Sequence, residues 1–215
     1  PYAGESKPGS IIAAWSSFAW DSNRGDLILF GGGHANYAGN EVYRWHGTTG
    51  LWERASVPSQ VKAVDPYLAV YEAVDGAINA PVSAHTYDNQ VFLPALDRFL
   101  TFGGASFDNG GAQKMSLAGG AYRTTGPFLW DPARGDPNKV GGTTGSHVQR
   151  EAPHPEITGG QMWQNLDIYD GRFPASSLPS TFVMGVSDST NEGGVETVYV
   201  AGRIGGGTDQ DLFRL

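Results

Sequence analysis

Residues Asp26 to Trp45 read DLILFGGGHANYAGNEVYRW, and the punctuation of this stretch decides the fold. The run Asp26–Phe30 is rich in Leu, Ile and Phe and too short for an ordinary helix, so it predicts a buried strand. Three glycines stop it. They allow positive φ and close packing where a side chain would collide. After a polar loop, Glu41–Trp45 predicts a second strand. A plain hairpin would show the same features, so the matter turns on whether the pattern recurs.

It recurs twice. Arg98–Gly104 reads RFLTFGG, a long Gly-rich loop follows, and FLWDPARG at Phe128–Gly135 matches YRWHGTTG at Tyr43–Gly50 without a gap. A third pass starts with ETVYVAGR at Glu196, places glycines at Gly205–Gly207 and reaches DLFRL at Asp211–Leu215, where Phe213 and Arg214 fall on Tyr43 and Arg44. Repeats of this length mark propellers and solenoids, whose units cannot bury their apolar faces alone.

An apolar strand, Gly-Gly, a variable loop and a strand with an aromatic and a Trp before a Gly turn together resemble kelch repeats of the galactose-oxidase-like β-propeller type. The resemblance implies an all-β fold of kelch-like propeller blades, each of four antiparallel strands, with long loop insertions. It covers three imperfect blades within one partial propeller: about residues 11–57, 83–150 and 181–215, the last incomplete, with insertions at 58–82 and 151–180. Function does not follow from such a fold, which hosts binding modules, scaffolds and unrelated enzymes.

Composition narrows the classes. The formal net charge is −8, which gives no general attraction to nucleic acid or anionic lipid. With Cys 0 there is no disulfide framework, no thiolate metal site and no Cys–Tyr crosslink of the kind copper-radical oxidases need. No apolar stretch is long enough to span a bilayer, and no basic-then-apolar leader opens at Pro1. Few lysines and loops rich in Gly, Asn and Thr point to a secreted, periplasmic or cell-surface protein. A third pass that stops at Leu215 predicts exposed blade faces, to be met by the remaining blades on another chain, by a protein partner or by a second copy.

Within the passes, Ser16–Trp20, Asp26–Phe30, Glu41–Trp45 and Leu51–Ala55 are the expected strands of blade one. In blade two they are Ser83–Pro94, Arg98–Phe102, Pro127–Asp131 and, for the fourth, Ser146–Arg150. Blade three has Thr181–Ser187, Glu196–Arg203 and Asp211–Leu215. Leu68, Val70, Tyr71 and Val74 can line one face of a short helix within Asp65–Val74.

In the family geometry, the loop after the Gly-Gly strand and the loop entering the innermost strand share one face, so the long loops mark the binding face. His34, Asn36 and Tyr37 lie in one such loop and His85 and Tyr87 in another. Imidazole, amide and phenol groups hydrogen-bond sugar hydroxyls, move protons or bind metal, and equally pack against a neighbouring blade. His34 with His85 makes half a metal site, without dedicated ligand spacing, and no metal or cofactor is expected. Asp188, Asn191, Glu192, Asp209 and Asp211 offer calcium-type oxygens without the EF-hand pattern. Lys114 and Arg123, in the long loop of blade two, suit an anionic group. His154, Trp163 and Gln164 in the second insertion offer an aromatic surface with amides beside it; a Trp covering the propeller edge would look the same.

These residues predict a non-catalytic binding or scaffold module whose long-loop face takes a glycan or a protein partner. The alternative is a carbohydrate-active enzyme of polysaccharide lyase or sugar epimerase type, with His34, Tyr37, His85 and Arg123 converging on one pocket.

Overall fold

The computed structural model describes residues 18–31, 39–65, 70–84, 86, 89–104, 111–112, 114–147, 153–168, 187–203 and 210–214. Among these there is no α-helix, and the strands pair antiparallel in separate sheets. The first sheet has the order β1 (Phe18–Asp21), β2 (Asp26–Phe30), β3 (Val42–His46), β4 (Leu51–Arg54). A hairpin of β5 (Val61–Asp65) and β6 (Val70–Ala73) follows. The second sheet is begun by β7 (Gln90–Leu93) and β8 (Arg98–Thr101). Two small hairpins then intervene, β9 (Gly103–Gly104) with β10 (Gly111–Ala112) and β11 (Lys114–Ser116) with β12 (Tyr122–Thr124). The second sheet resumes with β13 (Phe128–Trp130), is interrupted by the hairpin of β14 (Thr144–His147) and β15 (Pro153–Thr158), and is completed by β16 (Trp163–Asn165). β17 (Ser187–Glu192), β18 (Val195–Arg203) and β19 (Gln210–Arg214) make the third sheet.

The recurrence in sequence is a recurrence of register. In the first sheet Phe18 faces Leu29, which faces Tyr43; in the second Gln90 faces Thr101, which faces Phe128; in the third Ser187 faces Val200, which faces Phe213. The aligned residues of the three passes therefore occupy equivalent sites in three sheets. The first strands lie near one another, β7 touching both β1 and β17.

Alternation along the strands then assigns the faces. Ala19, Ile28, Phe30 and Val42 of the first sheet pack against Phe92, Phe99, Phe128 and Trp130 of the second. The opposite face of the second sheet, with Val91, Leu100 and Leu129, packs against Val198 of the third. Trp163 stands at the centre of the larger core, its ring centroid 5.1 Å from that of Phe30. The short turns of the first two sheets are also joined, because Arg24 forks Asp97 with two contacts of 2.6 Å.

Three expectations change. The segment around Asp65–Val74 does not supply a helix: β5 and β6 pair across it, with a bulge between Ala63 and Asp65. Val61, Val64 and Val70 are β-branched and favour strand, and a partner strand wins over a weak helical periodicity. The fourth strand of the second sheet is β16, not Ser146–Arg150; Ser146 instead pairs with His154 in a separate hairpin. The chain leaves the sheet at Asp131 and returns some thirty residues later, a detour that sequence spacing does not reveal. The expected loop Gly103–Gly126 is also partly folded, into the two hairpins β9–β10 and β11–β12.

Candidate functional site

Two of the loops expected to carry function spring from roots that touch. β2 ends at Phe30, whose carbonyl accepts a 2.6 Å hydrogen bond from the Gln90 side-chain amide and a 3.3 Å bond from the Thr86 hydroxyl. The next residue, Gly31, has φ +118°, and a Cβ there would lie 2.8 Å from Thr86 Oγ1 and 3.1 Å from the Ala84 carbonyl. Only a glycine lets the end of β2 approach the 84–86 segment so closely. The loop holding His34, Asn36 and Tyr37 thus leaves the sheet against the segment that holds His85 and Tyr87. These five residues lie outside the described ones, as does Asp209.

The return of the first loop is fixed as firmly. Asn40 is buried, donates to the Pro81 carbonyl at 2.6 Å and accepts from the Ser59 amide at 2.8 Å. Glu41 is buried beside it and accepts from the Tyr43 hydroxyl at 3.0 Å. Burial, joined by the Glu41 carboxylate, pushes the Tyr43 phenol far above its ordinary range, so it remains a donor. The buried Asp75 carboxylate accepts from the Ser59 hydroxyl at 2.6 Å and from Thr143 at 3.1 Å. These buried hydrogen bonds make a rigid base at the loop roots. Asn40 and Glu41 hold the return of the loop in place.

The other candidates are dispersed. Arg123, on β12, forks Asp167 with two bonds of 2.5 Å, and Thr125 adds a 3.0 Å bond to the same carboxylate. Its guanidinium fastens the β11–β12 hairpin to the segment after β16. Lys114 lies on β11, in register with Thr124. His154 lies on β15, with Nδ1 3.0 Å from the exposed Glu156 carboxylate. Trp163 is buried in the core between sheets, so the expected aromatic contact surface is not formed by this ring; its neighbour Gln164 is exposed. Asp188, Asn191, Glu192 and Asp211 are strand residues of the third sheet, with Asn191 and Glu192 next to its Gly193–Gly194 turn. Among the described residues no group of three His, Cys, Asp or Glu side chains is placed to hold a metal ion.

Sequence reasoning missed a cleft of about 440 Å³ along β16. Leu129 and Met162 give it an apolar wall, and Arg98, Asp131, Arg134 and Gln164 a polar one. Asp131 holds Arg98 at 3.0 Å and Arg134 at 3.5 Å, while Arg134 donates to the Gln161 carbonyl at 3.0 Å. The signal was the DPARG turn after Trp130, whose Asp131 and Arg134 are three residues apart; its meaning depended on β16 returning beside it.

No protein-family model, curated protein or solved structure matches the chain. No helix among the described residues is long and apolar enough to cross a membrane.

Proposed function

We propose that the chain supplies three blades of an exported kelch-like β-propeller and works as a binding module that takes a glycan on its long-loop face. The observation that supports this reading is the shared root at Phe30, where one carbonyl accepts from both Gln90 and Thr86. The first loop, whose sequence holds His34, Asn36 and Tyr37, thus starts next to Thr86, which His85 and Tyr87 flank in sequence. Phenol rings with imidazole and amide groups near them suit the C–H faces and hydroxyls of a sugar. The equivalent registers of the three sheets support the propeller reading, since repeated four-strand units with adjacent first strands are how blades are arranged.

The enzyme reading asks Arg123 to clamp a substrate carboxylate. That guanidinium already forks Asp167, which favours binding without turnover.

The test is an array of neutral and uronic-acid-containing oligosaccharides, followed by calorimetric titration of those retained. Tyr37→Ala and Tyr87→Ala are expected to weaken binding about tenfold each, or ~1.4 kcal/mol. Retention of no oligosaccharide would overturn the glycan reading, and mass-spectrometric detection of a cleaved or epimerised sugar would replace it with the enzyme.

A further inference from the structure

The charges of the cleft beside β16 are arranged in depth. Asp131 follows β13 and caps the Pro132–Arg134 turn, so its Oδ1 accepts from the Ala133 amide at 3.0 Å. Its Oδ2 meets the Arg98 guanidinium at 3.0 Å and that of Arg134 at 3.5 Å. The Asp131 side chain is only 14% exposed, against 33% for Arg98 and 56% for Arg134. The anion is therefore engaged behind the guanidiniums, and the charge that solvent meets is positive. Two guanidiniums against one carboxylate leave a single positive charge over, in a chain whose formal net charge is −8.

Both guanidiniums are held in place by backbone as well. Arg98 donates through Nη1 to the Asp97 carbonyl at 2.8 Å and reaches Asp131 through Nη2. Arg134 donates through Nη1 to the Gln161 carbonyl at 3.0 Å and reaches Asp131 through Nε, which leaves the donors of its Nη2 uncommitted among the described residues. Gln161 itself has φ +50°, an uncommon conformation for a residue with a side chain, and its amide is tied to the Gly142 carbonyl at 2.9 Å. A planar fork fixed in this way matches a carboxylate with parallel hydrogen bonds. Beside the arginines, Gln164 is exposed on β16 and offers an amide donor and acceptor, which suits hydroxyl groups. Leu129 and Met162 supply apolar surface for C–H groups. The volume, about 440 Å³, is that of a small-molecule site and not of a macromolecular face.

We propose that this cleft is a binding site for a sugar acid, a small hydroxylated monocarboxylate of the uronic-acid kind. Arg98 and Arg134 take the carboxylate, Gln164 the hydroxyls, and Leu129 and Met162 the C–H face of the ring. A single surplus positive charge matches one carboxylate better than a phosphate carrying nearly two charges. The site shares no residue with the long-loop face and does not depend on the propeller reading, so the two proposals can fail separately.

Ligand-observed NMR titration of the full chain with galacturonate and glucuronate is the test, with galactose, glucose, acetate and inorganic phosphate as comparison probes. The expected result is that at least one uronate binds about tenfold tighter than any comparison probe, and that its binding weakens as salt is raised. Arg134→Gln and Arg98→Gln are each expected to weaken it about tenfold, the loss of a charged hydrogen bond, while Tyr37→Ala with Tyr87→Ala leaves it unchanged. Gln164→Trp, at an exposed strand position, is expected to block the cleft, and it carries the test if the arginine variants fail to fold. Binding of neither uronate overturns the proposal, as does uronate binding that survives all three cleft substitutions. Acetate or phosphate bound as tightly as the uronate overturns the sugar-acid class, and galactose or glucose bound as tightly overturns the role of the arginines. Loss of uronate binding in the tyrosine variant alone puts the uronate on the long-loop face, which overturns the cleft and leaves the glycan reading standing.

Discussion

The first and second sheets are built from the same repeat in the same register, yet Trp130 and Trp163 are buried while their equivalents Trp45 and Trp52 are half-buried and exposed. Local sequence dictates the sheet, its register and the alternation of its faces. Whether a face becomes core depends on what packs against it, which is a property of the neighbouring repeat. The same indole therefore has two energetic roles, set by position in the series and not by its own strand.

That difference is measurable. Trp163→Ala removes a ring packed against Phe30, Phe99 and Phe128, and is expected to destabilise the chain by about 3–5 kcal/mol. Trp52→Ala, read by denaturant melts at dilution where the chain is monomeric, is expected to cost about 1 kcal/mol or less, because its ring is already half in water. Equal costs would break the comparison. A Trp52→Ala cost that grows with protein concentration would sharpen it, since only association can add stability through that ring.

Two glycines extend the contrast to the ends of β2. Gly25 in the short turn has φ +71° and nothing within 4 Å of a Cβ position, whereas Gly31 has φ +118° and would collide with Thr86 Oγ1 and the Ala84 carbonyl. Gly25→Ala carries the backbone penalty alone, about 1–2 kcal/mol. Gly31→Ala adds overpacking against a neighbouring backbone and is expected to cost about 2–4 kcal/mol. Thermal melts of the two variants check the order, and a larger loss at Gly25 would mean that the loop roots are not held together as described.

These positions also show where sequence reading reached and where it stopped. The strand Asp26–Phe30 and the turn Gly47–Gly50 were legible because period, apolar content and glycine stops agree locally. The alignment of Trp45 with Trp130 carried through to register because an unbroken repeat transfers pairing from one sheet to the next. The fourth strand of the second sheet was hidden, since β16 is short and follows a hairpin that pairs with itself. Trp163 looked like a surface residue in a proline-rich insertion; only its pairing with Trp130 puts it in the core. Arg123 likewise looked unengaged until Asp167, far along the chain, came to it. The cleft beside β16 needed that same long return, without which the local DPARG turn had no readable meaning.

The smallest expected effect concerns how the sheets are fastened at their short turns. Sheets one and two are tied by the Arg24–Asp97 fork, whereas sheets two and three are tied by the Leu96 amide donating to the Glu196 carboxylate at 2.9 Å. Asp97 has φ +55°, a conformation that Asn also tolerates, so Asp97→Asn removes the charge and leaves the turn. Hydrogen bonds from Arg24 outweigh the opposing effect of burial and hold the Asp97 carboxyl at about 2, below its ordinary 3.8. A depressed carboxyl adds stability above its unfolded value and loses it as pH falls through the folded one. The contribution is therefore whole at neutral pH and disappears from about pH 4 down to about pH 2. Its size is that of a solvent-screened pair, since the Asp97 side chain is 35% exposed, and about 0.5 kcal/mol is expected. Denaturant melts should show Asp97→Asn less stable than the parent at pH 7, with the gap closing in that acid window. A gap that persists unchanged at the acid end would mean that the turn's hydrogen bonds with Asn23, and not the Arg24 charge, join the first two sheets.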